Sequence, residues 1–598
     1  MVKAATRTKS ATWDLTPLFK SDTDPRIQQN LQATEKAVLQ FVTKWESRTD
    51  YLGNSNVLLQ ALSEFDELNR HFGLGGDVSY YFELRSSQDE NDPFLKAQVN
   101  KLDDFTTKLR NKIHFFELRL GKITAVQQRQ FLADSELKLY RHFLEKLFAR
   151  AKFQLSEAEE KIMNLKSTPA YASWVRMTSS FLAKETRRGK TVTRLLADFR
   201  NLNKKVRDVA WKDVNSIIDM YVEVAENEMN ALLNDKKIND ELRGLTRPDT
   251  GRHLADDIDS EVVDAMTTAV TAKFAIAHRY YQFKAKVLGQ SQLKYHERNI
   301  PLGKVLQEFP FAKTISLVRK VFNQLDPDFG IILDRFNTNG QLDVYPRVGK
   351  RGGAFCDVDL MVHPTYILLN HTDKLTDVMT LAHEMGHGIN NELMKAQTSS
   401  LNFGSPLSIA EVASTFMEDF VLQELVKQSS LEQQLTLNTQ KLDDDIATIF
   451  RQVAAYNFEK ELHQEFRRVG YLSKDQIGKL FSKHMAAYMG PAVEQTPGCE
   501  NFWVYWSHFR NYFYVYSYAS GLIISKSLQA KVKQDPKFIT SVKQILAVGT
   551  VDSPKDIFKK YAGIDIADPK FWTTGLDEVE SLLTKTEKLY NQLQKGKH

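Results

Sequence analysis

Residues 381–390 read LAHEMGHGIN and contain two histidines four positions apart, His383 and His387, with Glu384 directly after the first. Apolar residues surround them at helical spacing, and residues four apart on a helix share one face. The two imidazoles can therefore bind one cation. Catalytic zinc takes such nitrogen ligands and leaves one position open for water. With 14 histidines in 598 residues, the HExxH pattern is expected about 0.02 times by chance. The alternative, a plain core helix with two histidines, is less favoured.

A third zinc ligand is expected among the residues that follow His387. The metzincin spacing requires a histidine where this chain has Leu393, and Glu392 lies on the same helix as the histidine pair. The first carboxylate on a second predicted helix is Glu411, in SPLSIAEVASTFMEDF. Glu411 either binds the metal or closes a capping box with Ser408. Glu418, two turns further on, either orients a ligand histidine or is an exposed helix carboxylate.

The composition predicts a globular, mainly helical chain. Hydrophobic residues are 42% and charged residues 26%, which excludes a mostly disordered chain. The 16 prolines and 27 glycines lie below the usual shares of about 5% and 7%, which favours long helices. Glycine, proline and short apolar runs cluster near residues 326–370, where a small β-sheet is expected. A basic stretch at 184–190 is the predicted boundary, so we expect an N-terminal helical domain over 1–195, a catalytic domain over 196–583 and a lysine-rich tail over 584–598.

Net charge and cysteine content limit the binding partners and the cellular compartment that we expect for the protein. The net charge of +5 is too small for this length to predict nucleic-acid binding. The two cysteines, Cys356 and Cys499, fit a reducing compartment. The N-terminal residues have no apolar core of a signal peptide, and no apolar run reaches the roughly 20 residues of a membrane span. We therefore expect a cytoplasmic protein without a membrane partner.

Several ordered motifs resemble a known family. They are ATWDLTPLF (11–19), LDVYPRVGKRGGAFC (342–356), TLAHEMGHG (380–388), IAEVASTFMED (409–419) and FRNYFYVYSYASG (509–521). Together they resemble the thimet oligopeptidase and oligoendopeptidase F group of zinc metallopeptidases, and the oligoendopeptidase F branch most closely. The resemblance runs over most of the chain. One departure is Asn390, where the family commonly has a histidine that is not a metal ligand.

The resemblance implies a large, mainly α-helical body with a deep substrate cleft and a zincin-like pair of catalytic helices. It implies one Zn²⁺ per chain, with Glu411 as the third ligand after His383 and His387. Glu384 would act as the general base on the water that zinc holds. The implied function is hydrolysis of internal bonds in short, unstructured peptides.

The resemblance also assigns roles outside the zinc helix. The tetrahedral intermediate needs hydrogen-bond donors for its oxyanion, and the first choices are His508 and Tyr516, with Tyr514 next. Taken without the resemblance, the same aromatic residues indicate core packing. An extended peptide can pair with an exposed strand edge. The residues expected to contact substrate are Gly352, Gly353, Ala354 and Tyr512.

Two other functions remain open at this point. A dipeptidyl carboxypeptidase of the same fold would need a group that holds the free C-terminal carboxylate of its substrate, and the sequence does not identify one. A helical protein that binds peptides without chemistry is the second alternative. The intact set of His383, Glu384, His387 and Glu411 argues against it.

Overall fold

The computed structural model describes residues 11–303 and 307–595 and is mainly helical, as the sequence predicts. The N-terminal helices are α1 Arg26–Trp45, α2 Ser55–His71, α3 Gly76–Gln88, α4 Pro93–Ile113, α5 Phe115–Gly121, α6 Ala125–Ala133, α7 Arg141–Ala151, α8 Glu157–Ser167 and α9 Ser173–Lys184. The apolar faces of α1, α2 and α4 to α7 enclose a core of their own, which includes the fully buried Trp45 and Phe116. Helix α3 packs instead in a smaller cluster with Trp13 and the strand Tyr366–Leu368.

The remaining helices build a second, larger core. They are α10 Val192–Asp198, α11 Lys204–Arg243, α12 Thr250–Ala255, α13 Ser260–Ala272, α14 Phe274–Val287, α15 Phe311–Leu325, α16 Pro327–Thr338, α17 Leu375–Gln397, α18 Leu407–Ala410, α19 Val412–Lys427, α20 Leu431–Asp445, α21 Arg451–Val469, α22 Lys474–Met489, α23 Tyr516–Gln534, α24 Ile539–Ala547, α25 Pro554–Ala562 and α26 Pro569–Lys595. A π-helical turn over Ile446–Phe450 joins α20 to α21.

The strands are short. They are β1 Thr186–Arg187, β2 Lys190–Thr191, β3 Leu293–Lys294, β4 Leu342–Asp343, β5 Phe355–Asp357, β6 Tyr366–Leu368 and β7 Val493–Glu494. Strands β1 and β2 form a hairpin at the predicted domain boundary. The largest sheet among the described residues has the order β4-β6-β5, in which β4 is parallel and β5 antiparallel to β6. Strand β5 is therefore an edge strand of that sheet.

The predicted sheet region begins later than expected. Residues 327–338, which include the apolar run IIL, form α16 and not a strand. The Asp326 side chain accepts a hydrogen bond from the Asp328 backbone and Pro327 occupies the first helical position. These are helix-start signals, so the prediction of strands from residue 326 is wrong, and the sheet spans residues 342–368.

The first and the last segments of the described chain pack against the larger body. The Trp13 indole donates a hydrogen bond to the Ile367 carbonyl at 2.8 Å, and the Tyr366 hydroxyl donates to the Asp14 carbonyl at 2.8 Å. The N-terminal residues thus hold strand β6 from outside. At the other end, the sequence predicts a tail over 584–598. Residues 584–595 of it continue α26 with Thr586 buried, and residues 596–598 lie outside the described residues.

Candidate metal centre

Helices α17 and α19 bring the three predicted zinc ligands together. His383 and His387 lie on one face of α17, and their ring centres are 5.1 Å apart. Glu411 immediately precedes α19. Its Oε2 atom lies 3.3 Å from His383 Nε2 and 3.5 Å from His387 Nε2. One ligand atom from each of the three residues lies within 4.8 Å of the others. Two imidazole nitrogens and one carboxylate oxygen are a donor set that catalytic zinc takes.

The glycine inside HEMGH allows this approach. A Cβ atom built on Gly386 would lie 2.5 Å from Ser414 Cα and 2.7 Å from the Ala413 carbonyl oxygen. Both are backbone atoms of α19, so the two helices touch at this point without an intervening side chain. Glycine permits such backbone contact, and the contact carries Glu411 to the histidine pair.

The Glu411 carboxylate faces the two histidines. Glu411 is the residue that precedes the first turn of α19, and helix α18 begins at Leu407, before Ser408. The Ser414 hydroxyl donates to Glu411 Oε2 at 2.7 Å. Burial raises the pKa of Glu411, but the hydrogen bonds from His383 and His387 dominate and leave the pKa well below its ordinary value.

Glu418 contacts the first histidine on the side away from Glu411. Its Oε2 atom lies 3.2 Å from His383 Nδ1, which leaves Nε2 of the ring directed at Glu411. Burial lowers the pKa of His383, but the hydrogen bonds to Glu411 and Glu418 outweigh it and raise the pKa to about 10. The three groups together favour a positive charge at this point, whether a proton or a metal ion.

Glu384 stands apart from the ligand set. Its side chain is 7% exposed. Burial raises its pKa, while the neighbouring His383 and His387 and the backbone of Cys356 act in the opposite direction. The interaction with Cys356 places Glu384 beside edge strand β5. A carboxylate with this environment is suited to take up and release a proton.

The predicted substrate loop is open. Gly352 and Gly353 are exposed, and a Cβ atom on either would meet nothing within 4 Å. Gly353 has φ of +79°, a conformation that favours glycine. The Asn370 amide donates to the Arg351 and Gly353 carbonyls at 2.9 and 2.7 Å and fixes the loop. Ala354 is half-buried at the start of β5.

The aromatic segment supplies a compact polar cluster. His508 Nε2 lies 3.1 Å from the Tyr518 hydroxyl, and the Tyr514 ring lies 5.8 Å from His508 and 5.5 Å from Tyr518. Burial raises the pKa of Tyr518 to about 12, with a further contribution from the Glu411 charge. Helix α23 also touches Glu411, because a Cβ on Gly521 would lie 2.8 Å from Glu411 Cβ. The cluster therefore adjoins the metal ligands.

Two of the predicted tyrosines are engaged elsewhere. The Tyr516 hydroxyl donates to Asp256 at 2.7 Å, and its ring is fully buried. The Tyr512 hydroxyl donates to the Leu232 carbonyl at 3.0 Å. Tyr518, which the sequence does not rank first, takes the position beside His508. Tyr516 and Tyr518 both lie on α23, where residues two apart point in nearly opposite directions, so only Tyr518 of the two faces His508.

A second group of potential ligands has another explanation. Asp208, His296 and Glu297 also bring ligand atoms within 4.8 Å of one another. Glu297 forms ion pairs at 3.2 Å with both Lys204 and Arg207. These cations already compensate the carboxylate, so the group is a structural ion-pair cluster.

Two family models match the chain. The model described as peptidase family M3 covers residues 199–577, and the one described as oligopeptidase F covers residues 120–184. An oligoendopeptidase F homolog of Lactococcus lactis subsp. lactis is 23% identical over 99% of this chain and 98% of the relative. Oligopeptidase PepF of Bacillus subtilis is 24% identical over 96% of this chain and 88% of the relative.

Solved structures share the fold. A crystal structure described as a peptidase of Chlamydophila abortus superposes with a TM-score of 0.84 at 21% identity and covers 97% of this chain and 98% of its own. Oligoendopeptidase-F of Enterococcus faecium gives a TM-score of 0.66 at 18% identity, with 95% and 98% covered. These likenesses establish the mainly α architecture. Among the described residues, every helix is too short or too polar to cross a membrane.

Proposed function

The chain belongs to peptidase family M3 and is a metallo-oligopeptidase, and from this premise we propose that it is a zinc-dependent endopeptidase for short, unstructured peptides. The observation that carries the proposal is the meeting of His383, His387 and Glu411, with ligand atoms within 4.8 Å of one another and Glu384 left outside the set. A bound Zn²⁺ would polarise the scissile carbonyl and lower the pKa of water.

Glu384 is the proposed general base. Its carboxylate would take the proton of the attacking water and then give it to the nitrogen of the leaving amine. Its burial supports this role, because burial raises the pKa of Glu384 toward the range in which both transfers are efficient. Glu418 would hold the His383 ring in the ligand orientation.

His508 and Tyr518 are the proposed donors to the oxyanion, with Tyr514 beside them. Their mutual contact and the nearness of Tyr518 to Glu411 support this assignment. The hydroxyl of Tyr516 is bonded to Asp256, so we propose a supporting role for Tyr516, which holds the start of α23. Buried donors directed at developing charge contribute more than donors in water.

Strand β5 is the proposed docking edge for the peptide backbone. Three observations support this: β5 is an edge strand, Gly352 and Gly353 have open space around them, and β5 contacts Glu384. A peptide that adds a strand here would have its scissile bond beside the base, and Ala354 would lie along it. The Tyr512 hydroxyl is bonded to a backbone carbonyl, so Tyr512 would contribute only its ring to the wall of the cleft.

The roles of the two domains and the cellular compartment of the protein are also proposals. We propose that residues 1–195 form a helical wall over the catalytic part, residues 196–583. Cys356 and Cys499 are free thiols, which supports a cytoplasmic location. Peptides, and not nucleic acids, are the proposed partners.

The function is tested by measuring the zinc content of the protein and its cleavage of a peptide that is blocked at both ends. The purified chain should hold one zinc and should cleave an internally quenched peptide that is acetylated at one end and amidated at the other. Chelation should abolish cleavage, and added zinc should restore it. Cleavage that requires a free C-terminus would instead identify a dipeptidyl carboxypeptidase. A chain that binds peptides but neither holds zinc nor cleaves them would be a binding protein.

A further inference from the structure

A large cavity opens beside His508, away from the metal ligands. Its volume is about 660 Å³, and its wall is formed by residues of α9 and α10, the turn at Tyr295–Asn299, and the segment 502–508. Two arginines, Arg298 and Arg451, line it, whereas no carboxylate does among the residues that the structure describes. The cavity therefore carries net positive charge.

Arg298 is buried and has no ionic partner among the residues that the structure describes. Its side chain is 8% exposed, its guanidinium lies 3.9 Å from the Tyr295 ring centre, and its Nη1 donates to the Tyr295 carbonyl. The two other buried arginines in the described part of the chain each bind a glutamate. Arg207 lies 3.2 Å from Glu297, and Arg510 lies 2.8 Å from Glu228. Of the three buried arginines that the structure describes, Arg298 is therefore the one without a carboxylate partner.

Arg451 is the second uncompensated cation. It is the first residue of α21, directly after the π-helical turn, and its guanidinium lies 5.2 Å from the Trp506 ring centre. Its Nε atom is buried and has no hydrogen-bond partner in the described structure. Burial lowers the pKa of His508, and the charge of Arg451 lowers it further, so Arg451 lies close to His508. Arg451 as a whole is half-buried. A buried polar atom without a partner is costly, and π-helical turns are frequent at functional sites.

We propose that this cavity is a subsite for a carboxylate of the peptide substrate, held by Arg298 and Arg451. The inference rests on the proposed peptidase function. The guanidinium fork matches a carboxylate in shape and charge, and the aromatic walls reduce screening by water. His508 connects the two sites, because it lines the cavity and contacts Tyr518 on the side of Glu411. The carboxylate can come from the C-terminus or from an Asp or Glu side chain.

Binding to an inactive variant separates these two sources. Zinc-loaded Glu384→Gln would be titrated by calorimetry with one uncharged octapeptide in three forms: amidated, free acid, and amidated with a single Glu scanned through every position. We expect the free acid, or one of the Glu peptides, to bind about 10- to 100-fold more tightly than the neutral amide. Equal affinity for all three forms overturns the inference.

Variants of Arg451 test the assignment to this cavity. Arg451 has no carboxylate partner, so Arg451→Gln leaves no buried anion unpaired and should fold. In the Glu384→Gln background the preference for a carboxylate should fall to about 1- to 3-fold, and Arg451→Lys should retain part of it. The matched control is Arg468→Gln, which removes an exposed arginine from the same helix and should leave the preference unchanged. An undiminished preference in Arg451→Gln overturns the assignment.

Failure of the subsite can be distinguished from failure of the proposed function. If the wild-type protein cleaves the neutral amidated peptide but shows no carboxylate preference, the subsite is refuted and the endopeptidase stands. If no peptide is cleaved but the carboxylate preference is present and depends on Arg451, the subsite stands and the peptidase function is refuted.

Discussion

The Nδ1 atom of His383 lies 3.2 Å from Oε2 of Glu418, two helical turns beyond Glu411. The same ring presents its Nε2 to Glu411 at 3.3 Å. One carboxylate thus contacts Nδ1 of the imidazole, and a second carboxylate, the other proposed metal ligand, faces its Nε2. Such an arrangement fixes the tautomer of the histidine and raises its basicity as a ligand.

Replacement of Glu418 by glutamine should weaken zinc binding. The amide keeps a hydrogen-bond acceptor but loses the charge that favours a cation at His383. We expect zinc affinity to fall by about 10- to 100-fold, measured by competition with a chromogenic chelator. Glu424→Gln is the control, because Glu424 lies on the same helix but pairs with Lys320 at the surface. Unchanged affinity in Glu418→Gln would show that the ring is oriented by other contacts.

Glu384→Gln should separate chemistry from metal binding. The amide cannot accept the proton of water, so turnover should drop by about 10²- to 10⁴-fold, while zinc content stays at that of the wild type because Glu384 is outside the ligand set. Steady-state hydrolysis and metal analysis on the same sample check both parts. Wild-type turnover would remove Glu384 from the role of general base, and loss of zinc would place it among the ligands.

Gly386→Ala should force the two catalytic helices apart. The added methyl group would meet backbone atoms of Ser414 and Ala413, which cannot rotate away. Overpacking of this kind costs about 1–3 kcal/mol, and the displaced Glu411 should also weaken zinc binding. Gly251→Ala is the control, because its Cβ would make an ordinary contact of 3.6 Å with a Leu245 side chain. Thermal unfolding and zinc titration measure the two effects, and a variant that is stable and binds zinc normally would show that the helices can separate without loss.

The sequence predicts the centre of this site better than its surroundings. Spacing selects His383 and His387, the resemblance to the family selects Glu411, and ligand atoms of these three residues lie within 4.8 Å of one another. The choice between Tyr516 and Tyr518 depends on where α23 begins, and a shift of two residues turns a side chain to the other side of a helix. The proposed carboxylate subsite could not be predicted, since Arg298 and Arg451 are 153 positions apart and the cavity that both line is a property of the fold.

The stability of the protein should contain a pH-dependent contribution from His142, which joins α7 to the larger body. His142 Nε2 lies 2.7 Å from Asp257 and Nδ1 lies 3.0 Å from Glu145. Burial lowers the pKa of His142, but these two carboxylates outweigh it and raise the pKa from 6.5 to about 9. A raised pKa in the folded state stabilises the protein fully below about pH 6.5, and this contribution disappears as the pH rises through about 9.

His142→Gln should therefore lose stability at pH 6 and approach the wild type at pH 9.5. The shift corresponds to about 1–3 kcal/mol. A chain of this size does not unfold in a single two-state step, so the quantity to compare is the difference in urea midpoint between variant and wild type at each pH. His71→Gln is the control, because the His71 side chain is half exposed and lies 3.3 Å from the exposed Glu67. An offset between His142→Gln and the wild type that does not change with pH would mean that His142 packs as a neutral ring, because only a protonated imidazolium gains free energy from Asp257 and Glu145 as the pH falls.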